Sequence, residues 1–139
     1  MTEFESKVVT ISRSSEEVFR VLSDFRLFTP FIPADKLEDW KAEEDSCSFS
    51  VKGVGQTGLK IVEKEPFKTV KITGDGKLPF EFFLWVQLKE VEPNDTRMKL
   101  TLKAELNMML KMMLGKKIEE GINTMAEGIA AAFNKTVIS

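Results

Sequence analysis

An amphipathic helix running from roughly Met108 to Asn134 ends this chain, and the stretch before it is a series of short alternating strands. No other feature constrains the fold as much. At 1.5 Å per residue the helix is a rod of roughly 40 Å. Leu114, Ile118, Ile122, Met125, Ile129 and Phe133 recur at helical spacing and form a stripe that must be buried. The strands, each with one apolar face, need a cover of their own. An α+β arrangement meets both needs: a curved antiparallel sheet grips the C-terminal helix, with a cavity between them.

The first strand is expected from Phe4 to Ser12, through Val8, Val9 and Ile11. Ser14 and Glu17 then make a capping box, and Val18, Val21, Leu22 and Phe25 give the apolar face of a short helix. Phe25, Phe28, Phe31 and Ile32 crowd the next segment, where Pro30 and Pro33 prevent a long regular helix. A second helical turn is expected there, its aromatics either guarding a cavity entrance or packing as a satellite core. Cys47, Phe49 and Val51 then alternate with polar residues, as do Leu59 and Ile61, and Val70 and Ile72. From Phe80 to Glu90, one face carries Phe80, Phe82, Leu84, Val86 and Leu88, and the other carries Phe83 and Trp85. From Arg97 to Leu106, Met98, Leu100, Leu102, Ala104 and Leu106 face inward. Gly115, Gly121 and Gly128 lie within the final helix, each at a cost of up to about 1 kcal/mol relative to alanine. Close approach of helix to sheet would explain them.

A chain of 139 residues makes a single domain, residues 1–139. Its net charge of −2 speaks against nucleic acid as a general partner, which needs a concentrated basic surface. Cys47 is the sole cysteine, so no internal disulfide can form, and its place on the apolar side of a strand predicts an inert thiol. Histidine and tyrosine are absent, which removes His-based triads and His-based metal sites. Neither a cofactor nor a metal is expected. No run is long and apolar enough to span a membrane, and Met1 to Glu5 lack the pattern of a signal peptide, so a cytoplasmic location is expected. Lys111, Lys116 and Lys117 do not share one face of the last helix, which speaks against a membrane-surface element.

Among the carboxylates, Glu63 shares strand parity with Leu59 and Ile61. A continuous strand would carry it into the cavity, as a weak candidate for acid–base work. Met108, Met109, Met112 and Met113 cluster at the helix start, where flexible thioethers suit either an adaptable ligand wall or core filling. Phe83 and Trp85 form an apolar pair on the outer sheet face, as a homodimer or protein-partner surface would.

Two segments carry a resemblance to a known family. Ile11-Ser12-Arg13-Ser14-Ser15-Glu16-Glu17-Val18-Phe19, followed by Leu22-Ser23-Asp24, resembles the start of the first helix in the START-like superfamily (SRPBCC), in its polyketide cyclase/dehydrase-like branch. Gly55 to Glu65, closed by Pro66, resembles that family's central strand. The resemblance covers essentially the whole chain. It implies the helix-grip fold: a seven-stranded antiparallel sheet wrapped around the long C-terminal helix, with two short helices after the first strand. It also implies an apolar or amphipathic small molecule between sheet and helix. Members include cyclases, dehydratases, hydrolases, lipid-transfer proteins, hormone receptors and chaperone activators. Its cyclases and dehydratases often use His, Tyr or Arg in the cavity. Here His and Tyr are missing, and Arg13, Arg20, Arg26 and Arg97 are expected outside.

The leading reading is therefore binding of a hydrophobic small molecule, such as a lipid, an isoprenoid or a polyketide-like ring, without catalysis. The expected wall is Phe49, Val51, Leu59, Ile61, Ile72, Phe82, Leu84, Leu102, Met112 and Met113, with Phe28 and Phe31 at the entrance. Two alternatives stand beside it. One is a protein-interaction module with a closed interior, and the other is a cyclase- or dehydratase-like enzyme using Glu63.

Overall fold

The computed structural model describes residues 1–28, 38–51, 55–76 and 80–135. Their elements run β1 (Thr2–Glu5), β2 (Val9–Ile11), α1 (Ser15–Leu22), α2 (Phe25–Phe28), β3 (Glu38–Ala42), β4 (Ser46–Val51), β5 (Gly55–Glu65), β6 (Thr69–Gly74), β7 (Phe82–Glu92), β8 (Asp95–Ala104) and α3 (Met108–Lys135). The strands form an antiparallel sheet in the order β1-β8-β7-β6-β5-β4-β3, and β2 also pairs with β8.

The expected first strand is thus two strands on one partner, broken between Glu5 and Val9. Ser6 causes the break. Its hydroxyl accepts the Leu100 N–H at 2.8 Å and donates to the Lys7 carbonyl at 2.9 Å. The Lys7 N–H then leaves the sheet and donates to Asn123 Oδ1 on α3 at 2.7 Å. At the other end of the same edge, Asn134 Oδ1 accepts the Ser12 N–H at 2.7 Å while its Nδ2 donates to the Thr10 carbonyl at 3.0 Å. Two asparagines three helical turns apart therefore clamp α3 along the β1–β2 edge, and they satisfy backbone groups that an open edge would leave unpaired. Lys7 also pairs with Glu127.

At the start of α1, the Ser14 hydroxyl accepts the Glu17 N–H at 3.2 Å, as the capping box requires. Val18 and Leu22 bury the inner face of this helix. The cross-strand pairs Val70↔Val86, Ile72↔Leu84, Leu84↔Leu102 and Val86↔Leu100 put those residues on one face of the sheet, the concave one. With Ile11, Met98 and α1, several of them form a fully buried core toward one end of the sheet.

α3 contributes Ile122, Ala126, Ile129, Ala130 and Phe133 to that core. Met125, expected in the stripe, is instead 47% exposed. The close approach expected at the helix glycines is also corrected. A Cβ at Gly121 or Gly128 would meet nothing within 4 Å, and at Gly115 it would touch just the Lys111 side chain at 4.0 Å. With no packing to compensate, Gly121→Ala and Gly128→Ala should each raise stability by about 0.5–1 kcal/mol in urea unfolding.

Candidate functional site

The concave face changes character along its length. Val70, Val86, Leu88, Met98 and Leu100 are buried, but Leu84 and Phe82 further along β7 and Leu102 further along β8 are only partly so, as are Leu59 and Ile61 on β5; Ile72 on β6 and the small Ala104 at the end of β8 are buried. The N-terminal half of α3 buries no side chain before Ile122. Leu110, Leu114 and Ile118, one turn apart in succession, are half-buried. Where β8 hands over to α3, a hollow of about 420 Å³ opens between Phe80, Glu81, Glu105, Leu106, Asn107 and Leu110. Asn107 shapes that corner, since its side-chain oxygen accepts the Leu110 N–H at 2.8 Å and starts the helix. None of the expected wall residues lines this hollow.

Among the expected wall residues, Phe49 and Ile72 are buried, and the partly buried Leu59, Ile61, Leu84 and Leu102 pack against the same core. Val51 closes β4, but its side chain lies outside the described residues, as does Phe31. Phe28 is half-buried against the core, next to the buried Phe25. Met112 and Met113, expected in the wall, are 81% and 64% exposed and face solvent. Helical position alone could not separate them from Leu110 and Leu114, which take the protected side.

Glu63 does not enter the concave face. The β5–β6 register shifts between Ile61 and Glu63: Ile61 faces Ile72, yet Glu63 faces Lys71. One extra residue in β5 inverts the strand's parity, so Glu63 is exposed on the outer face. Arg13 is a second correction, since its side chain is 18% exposed and sits 3.8 Å from the Glu17 carboxylate. Arg20, Arg26 and Arg97 are exposed as expected.

The concave wall is sparing in polar groups. Thr57, which pairs opposite Phe49, is buried, and its hydroxyl has no hydrogen-bond partner among the described residues. Sequence reasoning passed over it as part of a glycine-rich strand start. Cys47, paired opposite Leu59, is buried, and that burial pushes its thiol up to about 11, so it stays protonated at neutral pH. Among the described residues no cluster of His, Cys, Asp or Glu is arranged to hold a metal ion.

A second hollow, about 360 Å³, lies outside the sheet between α1, α2 and the β5–β6 turn. Phe67 lines it with a left-handed backbone (φ 64°), its ring edge-on to Phe19 at 5.9 Å. Lys64 borders it. Burial works against the lysine's charge, but hydrogen bonds to Asp45 and Glu44 outweigh this and raise its pKa. Asp24 is held below the usual carboxylate range chiefly by its hydrogen bond from Arg26.

On the outer face, Phe83 and Trp85 stand as the strand alternation predicts, tilted against one another at 6.0 Å. Both are half-buried. Lys71 Nζ lies 4.7 Å from the Phe83 ring centroid and 5.2 Å from that of Trp85, and Lys103 Nζ lies 5.5 Å from the Trp85 ring.

An antiparallel sheet closed by a long C-terminal helix, with two short helices after the opening strands, is the helix-grip fold of START-like, polyketide-cyclase-like proteins, and the chain has that fold. Several solved structures share it. The Aha1 dimer from Colwellia psychrerythraea is 18% identical with a TM-score of 0.74, over 97% of this chain and 98% of that one. A START superfamily protein from Mycobacterium smegmatis is 14% identical with a TM-score of 0.64, over 94% and 97%. The di-domain ARO/CYC BexL from the BE-7585A biosynthetic pathway is 10% identical with a TM-score of 0.73, over 94% of this chain and 46% of that one. No protein-family model matches the sequence, and no curated protein matches it.

Proposed function

We propose that this protein binds an apolar or amphipathic small molecule between the concave sheet face and the N-terminal half of α3, without catalysing its conversion. One observation carries the reading: along β7 and β8 the inward side chains Val86 and Leu100 are buried, whereas the next inward ones, Leu84 and Leu102, are only partly so. An apolar surface left partly uncovered inside a fold gains free energy when a ligand covers it, at about 25 cal/mol per Å² of area removed from water. The fold neighbours, a START superfamily protein and an ARO/CYC protein among them, are in keeping with such a site.

The enzymatic alternative rested on Glu63, which stands in water on the outer face and finds no support there. Association through Phe83 and Trp85 is the kind of contact that a dimeric neighbour suggests. It would first have to displace Lys71 and Lys103 from the rings they cover.

Titration with a fluorescent fatty acid tests the proposal. Saturable uptake of one molecule per chain, competed by unlabelled fatty acid, is the expected result. A signal that never saturates, or none at all, would overturn it.

A further inference from the structure

Thr57 is 4% exposed, and its hydroxyl makes no hydrogen bond among the described residues. A buried polar group left in that state costs free energy, and each one in a folded chain calls for an explanation. Its place in the sheet says which way it points. Thr57 pairs opposite Phe49 and lies two residues before Leu59, so the three share the concave face. On its other side the neighbours are glycines. Gly74 pairs with Leu59, and a Cβ at Gly76 would stand 3.6 Å from Thr57 Cα. Neither carries a side chain over this part of the face.

The surroundings are apolar. Trp40 stacks on the Phe49 ring at 5.9 Å, and Leu59 is half-buried. The Cys47 thiol, diagonal to Thr57 across the β4–β5 pair, stays protonated. Lys60, the nearest lysine along the chain, takes the alternate position and faces out in one row with Thr73 and Phe83. Lys64, beyond the bulge in β5, is paired with Asp45 and Glu44. Asp75 lies close enough for its negative charge to add to the rise of the Cys47 thiol. A carboxylate buried beside Thr57 would therefore find no free cation among the described residues and would face an acid. An uncharged hydroxyl or carbonyl needs no counter-charge, and one hydrogen bond satisfies it.

We infer that Thr57 is the polar anchor of the concave site, and that the ligand it selects is an apolar molecule with one uncharged hydroxyl or carbonyl group in preference to a carboxylate. The inference rests on the binding proposed above and narrows it to a ligand class. The threonine hydroxyl donates to a carbonyl, and with an alcohol it donates or accepts. It is closed to solvent, so a ligand gains it by shifting the side chains around it. The bond then forms away from water, where the presence or absence of one polar group discriminates most.

Calorimetric titration of the full chain with decanol and with decanoate tests it, at about pH 8, where the carboxylic acid is ionised. Decanol is expected to bind at least about tenfold more tightly than decanoate. Thr57→Val should weaken decanol by about tenfold and abolish the preference, while Thr57→Ser, which keeps the hydroxyl, retains it. Because the valine variant deletes an unpaired hydroxyl, its urea midpoint should be no lower than that of the parent. Equal binding of decanol and decanoate by the parent overturns the inference and leaves the binding site standing, as does decanol binding unchanged in Thr57→Val. A lowered urea midpoint in that variant also overturns it, because the hydroxyl would then be serving the fold. Binding of neither molecule overturns the inference together with the proposed function.

Discussion

Leu102→Trp is expected to lower fatty-acid uptake by at least about tenfold while leaving the chain folded, a loss that corresponds to about 1.4 kcal/mol of binding free energy. Leu102 stands on the concave face of β8, opposite Leu84 on β7 and Phe4 on β1. It is partly buried. An indole there fills the room that a ligand would take. The same change one inward position back has a different outcome. Leu100 is 0% exposed, and a tryptophan in that packed interior costs about 1–3 kcal/mol or more through displaced neighbours. Equilibrium binding and urea unfolding of the two variants separate loss of site from loss of fold. Unchanged uptake by Leu102→Trp would mean that the site lies elsewhere.

The second large effect concerns stability. Gly58→Ala should destabilise the protein by about 3 kcal/mol, near the upper end of what overpacking costs. A Cβ at Gly58 would stand 2.5 Å from the Cys47 carbonyl oxygen and 2.9 Å from that of Asp75. Both obstacles are backbone, and neither can swing aside as a side-chain end can. The Asp75 N–H donates to the Gly58 carbonyl at 2.9 Å, which binds the turn after β6 closely over β5. The same substitution at Gly121 should stabilise, so a shared glycine-to-alanine change carries opposite signs at a close approach and on an open helix face. A shift in urea midpoint without a change of slope would read each effect. A Gly58→Ala chain as stable as the parent would contradict the packing described for this corner.

The sequence made the sheet face legible wherever alternation was unbroken. Phe82, Leu84, Val86 and Leu88 point inward, and Phe83 and Trp85 outward, because a period of two admits one assignment per register. Glu63 was misplaced for a physical reason: a bulge at Val62 adds one residue, and no glycine or proline there announces it. The break between β1 and β2 was hidden in the same way, since it depends on Ser6 bonding to Leu100 across the sheet. For α3, the period located the helix from Met108 onward but not the half that packs. Leu114 and Ile118 are as apolar as Ile122 and Ile129, yet the sheet supports just the later turns, where Ala126 and Ala130 let the helix settle. The Asn123–Asn134 clamp had a faint signal, two asparagines on one helix face, that hydrophobic patterning does not weigh. The thiol of Cys47 was legible from its strand position alone.

Native mass spectrometry of the protein purified from its host, followed by organic extraction, tests the central claim most directly. One apolar molecule bound per chain, released into solvent and excluded by Leu102→Trp, is the predicted result. A clean apo mass that takes up no added fatty acid would contradict a binding site between the sheet and α3.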